Sequence, residues 1–255
     1  EYLIKQSKNY DVIIPLAAIV GAPACKLKPS LAKMTNFDSI IKFLKAIPDD
    51  ILVVYPTTNS GYGIGEKDKF CDEKSPLRPT STYGKTKLIG EKLIISFCKK
   101  NKVNFGILRF FNVVGASTTS NIGQINKGDQ LFKNLSTEIK KKKPVFKIYG
   151  SNYKTKDGTC IRDYIHVSDI ASIHCKVLQK IDLTKKSKII NCGYSKGISV
   201  NEVVQEFKKH ARKSLQIIKL PRRKGDMFKI TSDNRNLLSF IKWKPKFNKL
   251  KTMVK

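Results

Sequence analysis

No stretch of this sequence approaches the 18 consecutive apolar residues that a membrane-crossing helix needs, and nothing at its start resembles a signal peptide. The six cysteines, Cys25, Cys71, Cys98, Cys160, Cys175 and Cys192, include no C-x-x-C pair, and the three histidines form no H-E-x-x-H or other metal spacing. These absences predict reduced structural thiols, no metal and a cytoplasmic location. Acidic residues are scarce as well: 20 Asp and Glu stand against 50 Lys and Arg, a formal net charge of +30. Such a charge invites a nucleic-acid or membrane-surface reading. The lysines are nevertheless spread along the chain, with only Lys140 to Lys143 forming a compact run, and no RNP, zinc-finger or helix-turn-helix pattern accompanies them. The expectation is no nucleic acid and no membrane.

What is present is the material of a globular α/β chain. At 255 residues and 40% hydrophobic content it can bury one or two cores. The apolar run Ile51 to Pro56 reads as a buried strand, so Thr58 falls just past its carboxyl end, where open α/β sheets bind ligands. From Tyr83 the apolar residues recur at helical spacing, and Tyr83 and Lys87, four apart, share one face. A phenol with a pKa of about 10 needs roughly 4 kcal/mol of phenolate stabilisation to serve as a base near neutrality. One cation about 4 Å away at an effective dielectric of about 20 contributes an amount of that order. The pair thus suits proton transfer, although Tyr-x-x-x-Lys by itself also describes an ordinary solvated helix face. Thr58 at a strand end, 25 positions upstream, adds weight to the chemical reading.

Strand, Thr, then Tyr-x-x-x-Lys resembles the catalytic core of the extended short-chain dehydrogenases/reductases, specifically the NAD-dependent epimerase/dehydratase group acting on nucleotide sugars. Two later segments strengthen the resemblance: Asp157-Gly-Thr-Cys-Ile-Arg-Asp-Tyr-Ile-His-Val167, and Pro221-Arg-Arg-Lys-Gly-Asp226, which is similar to a nucleotide clamp of UDP-glucose 4-epimerases. The resemblance runs from residue 10 to about 243. It implies a Rossmann-like doubly wound parallel sheet with a smaller C-terminal α/β substrate domain: residues 1–115 with 162–193 for NAD, and 116–161 with 194–255 for the nucleotide sugar. The expected catalytic residues are Thr58, Tyr83 and Lys87. The expected NAD contacts are Leu16, Ala17, Ala18, Asn36, Thr57, Tyr83, Lys87 and Val114. Substrate contacts are expected at Thr58, Phe111, Asn112, Leu131, Arg162, Arg223 and Asp226, with Arg162 and Arg223 on the diphosphate, Asp226 on a ribose hydroxyl, and part of the positive field serving that anionic substrate. A homodimer is implied too.

Departures from the pattern are informative. No G-x-G-x-x-G occurs; Gly61-Tyr-Gly63-Ile-Gly65 has the wrong spacing and opens no helix, so the chain reads as an N-terminally incomplete version of the fold whose adenosine half-site is missing. Pro15 stands where histidine is more usual, Val113 replaces a proline, and Gln130-Leu131 replaces an Asn-Asn-Leu that touches substrate. Dehydratases of this group carry an Asp-Glu pair directly after the Ser/Thr, whereas Asn59-Ser60 follows Thr58 here. The implied activity is therefore C4 epimerisation of a UDP-hexose. A reductase or dehydratase of the same group, or a non-catalytic basic binding module keeping the fold, are the alternatives. Further elements are expected as follows: strand 10–18, helix 31–47, strand 103–112, a polar loop over 117–130, helix 131–142, strand 145–150, helix 168–181, strand 188–192, helix 199–212 and strand 215–220.

Overall fold

The computed structural model describes residues 2–65, 70–117, 119, 122–125, 130–212, 214–223 and 226–254. The chain begins with α1 (Tyr2–Ser7), β1 (Val12–Ile13), α2 (Ala22–Leu27), α3 (Pro29–Lys33) and α4 (Ser39–Leu44), followed by β2 (Leu52–Thr58) and α5 (Thr82–Lys100). β3 (Phe105–Phe110), β4 (Asn112–Val114), α6 (Leu131–Glu138), β5 (Val145–Tyr149), β6 (Ile161–His166) and α7 (Val167–Thr184) make the middle. The chain continues through β7 (Lys188–Cys192), β8 (Gly197–Ser199), α8 (Val200–Ala211), β9 (Gln216–Leu220), β10 (Lys229–Ile230), α9 (Arg235–Ile241) and α10 (Leu250–Val254).

β1, β2, β3 and β7 pair in that order, all parallel, and the ends of the last three are in step: Thr58 pairs with Phe110 and Phe110 with Cys192. A parallel sheet needs cover on both faces, which is why β2 is a nearly continuous buried run rather than an alternating one. One face packs Val54, Leu108 and Ile190 against Ile173, Val177 and Ile181 of α7 and Leu237 and Ile241 of α9. The other packs Val53, Tyr55 and Ile107 against Ile40 of α4 and Ile94 and Cys98 of α5. A second sheet joins β4, β6 and β10 in parallel, with β8 antiparallel on β6, and β5 pairs with β9. Val114, Phe146, Ile148, Tyr164 and Ile198 of these strands, with Phe132, Leu135, Val203 and Phe207, form a further core. The α/β class with a parallel sheet read from the sequence is the observed one.

Local chemistry sets the helix starts. The Ser81 hydroxyl accepts from the Gly84 N–H at 3.1 Å and opens α5, while Ser199 and Glu202 form a reciprocal capping box on α8. Two elements differ from the sequence expectation. The strand expected over 10–18 is ordered as a strand only at Val12–Ile13, because Pro15 has no N–H to give a ladder. The helix expected over 31–47 is split by a π-helical turn at Met34–Asp38, a departure that is rare and concentrates at functional sites. Of the polar loop expected over 117–130, residues 118, 120, 121 and 126–129 lie outside the described residues, as do Lys224 and Gly225 of the segment ending at Asp226.

Candidate active site

The carboxyl end of β2 delivers Thr58, and the first turn of α5 delivers Tyr83 and, one turn later, Lys87. The Thr58 hydroxyl accepts from the Ser60 N–H at 3.1 Å and lies 3.2 Å from the Ser60 Oγ, within a 3₁₀ turn at Asn59–Tyr62. The same hydroxyl is near enough to the Tyr83 phenol to favour its charged form. Gly84 makes this closeness possible: a Cβ at that position would sit 2.6 Å from the Ser60 carbonyl oxygen. Gly84→Ala should therefore push α5 off the 59–62 turn, cost about 1–3 kcal/mol of stability and part Tyr83 from Thr58. Thermal melts together with turnover will show whether both losses occur.

Burial sets the resting charges. Desolvation pushes the Tyr83 phenol up to about 12, while the Thr58 hydroxyl pulls it down and nearby Cys25 adds a smaller upward push. The same desolvation brings the Lys87 ammonium down to about 8, opposed by the Glu91 carboxylate. Lys87 is buried, with its Nζ 4.1 Å from the centroid of the Tyr55 ring. The structure thus shows Lys87 on the same helix face as Tyr83, as the spacing predicted. Burial is the largest influence on the phenol, and Tyr83 rests neutral.

Asn36 sits in the π-helical turn and is buried. Its side chain grips Ile19 from both sides, the Oδ1 accepting from the Ile19 N–H and the Nδ2 donating to the Ile19 carbonyl, each at 2.8 Å. Asn36 thereby fixes the turn that presents Leu16 and Ala17, both exposed, and the half-buried Ala18. Asn36→Ala removes two hydrogen bonds at about 1 kcal/mol each. Hydrogen exchange at the Ile19 amide should accelerate by about tenfold or more; an unchanged rate would contradict the clamp.

Thr57 is buried beside Thr58 on β2. Val114 ends β4 and is buried; Phe111, between β3 and β4, buries its ring against Tyr62, Cys71 and Ile230, leaving its backbone to face the strand ends. Asn112 on β4 carries a buried Oδ1 without a hydrogen-bond partner among the described residues. Leu131 opens α6. Arg162 and Asp226, 64 residues apart, meet in an ion pair at 2.6 Å. The Arg223 guanidinium lies 3.9 Å from the centroid of the Tyr149 ring. Arg162, Arg223 and Asp226 thus flank the β5–β9 and β6–β10 strand pairs.

Spacing did not reveal the polar network beneath these groups. Glu91, one turn past Lys87, holds Arg109 of β3 through both oxygens, at 2.6 and 3.3 Å, with both side chains buried. Arg109 also donates to the Tyr62 hydroxyl at 2.9 Å, which in turn donates to Asn191 Oδ1 of β7 at 2.6 Å. An acid within an apolar helix face and an arginine within an apolar strand were the available signals. Among the described residues no cluster of His, Cys, Asp and Glu could hold a metal ion, and no helix is long and apolar enough to cross a membrane.

Comparison with known proteins matches this geometry. The model of the NAD dependent epimerase/dehydratase family matches residues 1–193. A UDP-glucose 4-epimerase of Lactobacillus helveticus is 30% identical over 246 residues, which cover 95% of this chain and 74% of that protein. A putative UDP-arabinose 4-epimerase 4 of Arabidopsis thaliana is 33% identical over 94% of this chain, which spans 56% of the plant protein. Among solved structures, UDP-glucose-4-epimerase from Stenotrophomonas maltophila with bound NAD and formylated UDP-arabinopyranose superposes with a TM-score of 0.90 at 27% identity, covering 99% of this chain and 76% of that one. The UDP-Glc/GlcNAc 4-epimerase of Campylobacter jejuni superposes with a TM-score of 0.81 at 29% identity, covering 98% and 79%.

Proposed function

Because this chain belongs to the NAD dependent epimerase/dehydratase family, we propose that it is a nucleotide-sugar 4-epimerase that uses NAD and turns over a UDP-hexose through a transient 4-keto sugar. One observation carries the reading: Thr58, Tyr83 and Lys87 converge at the carboxyl end of β2, with the Thr58 hydroxyl near enough to the Tyr83 phenol to lower its pKa.

The residues present fit the nicotinamide and ribose end of NAD. Asn36 holds Ile19, next to the Leu16-Ala17-Ala18 segment, and Tyr83 and Lys87 offer a phenol and an ammonium to ribose hydroxyls. When bound, NAD supplies a hydride acceptor and a positive ring that favours the phenolate. Tyr83 takes the proton of the C4 hydroxyl. Thr58, donating to the same oxygen, holds the sugar oriented and steadies the charge as it develops. Lys87 keeps the phenolate stabilised by its ammonium charge. Epimerisation further requires the keto sugar to present its other face, so the hold on the substrate belongs with the diphosphate. Arg162 and Arg223 are suited to it, since a guanidinium fork matches two phosphate oxygens, and Asp226 is suited to a ribose hydroxyl. Asn112, Phe111 and Leu131 would line the sugar, and Thr57 and Val114 the nicotinamide.

Residues 1–115 with 162–193 would serve NAD, and 116–161 with 194–255 the nucleotide sugar, although α9 of the latter packs on the core of the former. Neither Asn59 nor Ser60 is titratable, so the step that water loss requires lacks its acid and base beside Thr58; this favours epimerisation over dehydration. We further place the protein in the cytoplasm, where NAD and UDP-sugars are made and the free cysteines stay reduced. A homodimer would cover the exposed Leu27, Leu31, Met34 and Ile89 of the helical layer.

The 255 residues contain no G-x-G-x-x-G turn to receive the pyrophosphate on a helix N-terminus. This polypeptide should accordingly bind NAD weakly, with a dissociation constant of about a millimolar by calorimetry. A micromolar constant would show that the pyrophosphate has a different cradle.

A further inference from the structure

We propose that Glu91, held in place by Arg109, is the buried counter-charge that fixes the Lys87 ammonium in the reacting site, which makes Glu91 a positioning residue for the reaction. The inference rests on the proposed function for its consequence but not for its test.

The argument starts from burial. An ammonium removed from water has few ways to stay charged: a counter-ion, hydrogen-bond acceptors or an aromatic face. Lys87 is 5% exposed and Glu91 is 4% exposed. The groups that face Lys87 are Tyr83 and Glu91 from α5 itself and the Tyr55 ring from β2, while Cys25 from α2 lies beside Tyr83. Of these, only Glu91 is a carboxylate, and it is ion-paired with Arg109. Four residues after Lys87, it lies on the same helix face.

Glu91 cannot swing toward Lys87 and quench it as a direct ion pair, because both carboxylate oxygens are bound by the Arg109 Nε and Nη2. Arg109 is itself anchored by the Tyr62 hydroxyl and by the Glu73 carbonyl at 3.2 Å. The carboxylate is thus fixed near the lysine yet not bonded to it, which leaves the Lys87 donors available to the phenolate and a ribose. Tyr55 fits the same design. Its ring supports the ammonium, and its hydroxyl has no hydrogen-bond partner among the described residues. Gly90 allows this approach, because a Cβ there would lie 2.5 Å from the Tyr55 hydroxyl.

Two variants should move Lys87 in opposite directions. Arg109→Gln removes a competing positive charge and leaves Glu91 to the lysine, so the ammonium becomes harder to deprotonate. The double variant Glu91→Gln with Arg109→Gln removes the counter-charge without leaving an arginine unpaired, so the ammonium is lost at lower pH. The titration is followed by NMR of the 255-residue protein labelled with 13C at lysine Cε, the Lys87 signal being identified by its absence in Lys87→Arg. In the unaltered protein the midpoint is expected near 8. It should rise in Arg109→Gln and fall in the double variant, each by about tenfold in the protonation equilibrium. If both variants drift up toward the ordinary lysine value, the pair merely braces the fold and the inference is wrong; equal midpoints in all three proteins overturn it too. In turnover assays with NAD and a UDP-hexose, the alkaline limb of kcat should follow the midpoint, and a limb that stays fixed while the midpoint moves would remove Glu91 from the reaction. A midpoint that moves as expected, in a protein with no turnover at any pH, would defeat the proposed function and leave the counter-charge standing.

Discussion

Tyr83→Phe should lower epimerase turnover by about 10³-fold while changing the affinity for UDP less than threefold. The phenol stands at the strand end to accept and return the C4 proton, and positioned proton transfer contributes about 10²- to 10⁴-fold. The ring itself stays, so packing against the Thr58 turn survives. A variant retaining more than a tenth of the activity would mean that the proton goes elsewhere. The companion change Thr58→Val removes the hydroxyl that pulls the phenol down and should let its titration midpoint rise, so activity would need a more alkaline solution. The sign follows from the cause: a nearby hydroxyl favours the charged form, and its loss favours the neutral one.

The second large effect is on binding. Arg162→Ala should weaken UDP by about 10- to 100-fold, because a charge-assisted hydrogen bond to phosphate is worth about 1.5–3 kcal/mol. Arg162 is paired with Asp226 at 2.6 Å, both partly buried. Binding therefore has to exchange that ion pair for phosphate contacts rather than order a loose side chain. Calorimetry with UDP reads this without any cofactor. If Arg162→Ala binds UDP as the unaltered protein does, the diphosphate lies away from β6.

The sequence pointed to much of the candidate site because its signals are local. Tyr83 and Lys87 share a helix face by periodicity alone, and Thr58 follows an apolar run that reads as a buried strand. Arg162 and Asp226 came through a different route, the similarity of two whole segments, since nothing in residue spacing brings positions 64 apart into an ion pair. The sheet order follows from parallel pairing of buried runs, but the two-residue β1 and β10 and the short α9 and α10 are held by tertiary contacts and have no pattern of their own. The π-helical turn that aims Asn36 at Ile19 was illegible for the same reason: periodicity marks a helix, not one extra residue within it. The charge state of Tyr83 also required the structure, because desolvation depends on what is packed around the ring, and here it is the largest influence.

The central claim is the reaction, and product analysis tests it most directly. The protein is incubated with UDP-glucose or UDP-N-acetylglucosamine and saturating NAD, the nucleotide sugars are separated, and reduced cofactor is followed by its absorbance. The account predicts the C4 epimer approaching equilibrium with the starting sugar, with no net reduced cofactor. A 4-keto-6-deoxy product, or reduced cofactor accumulating in step with substrate loss, would contradict it.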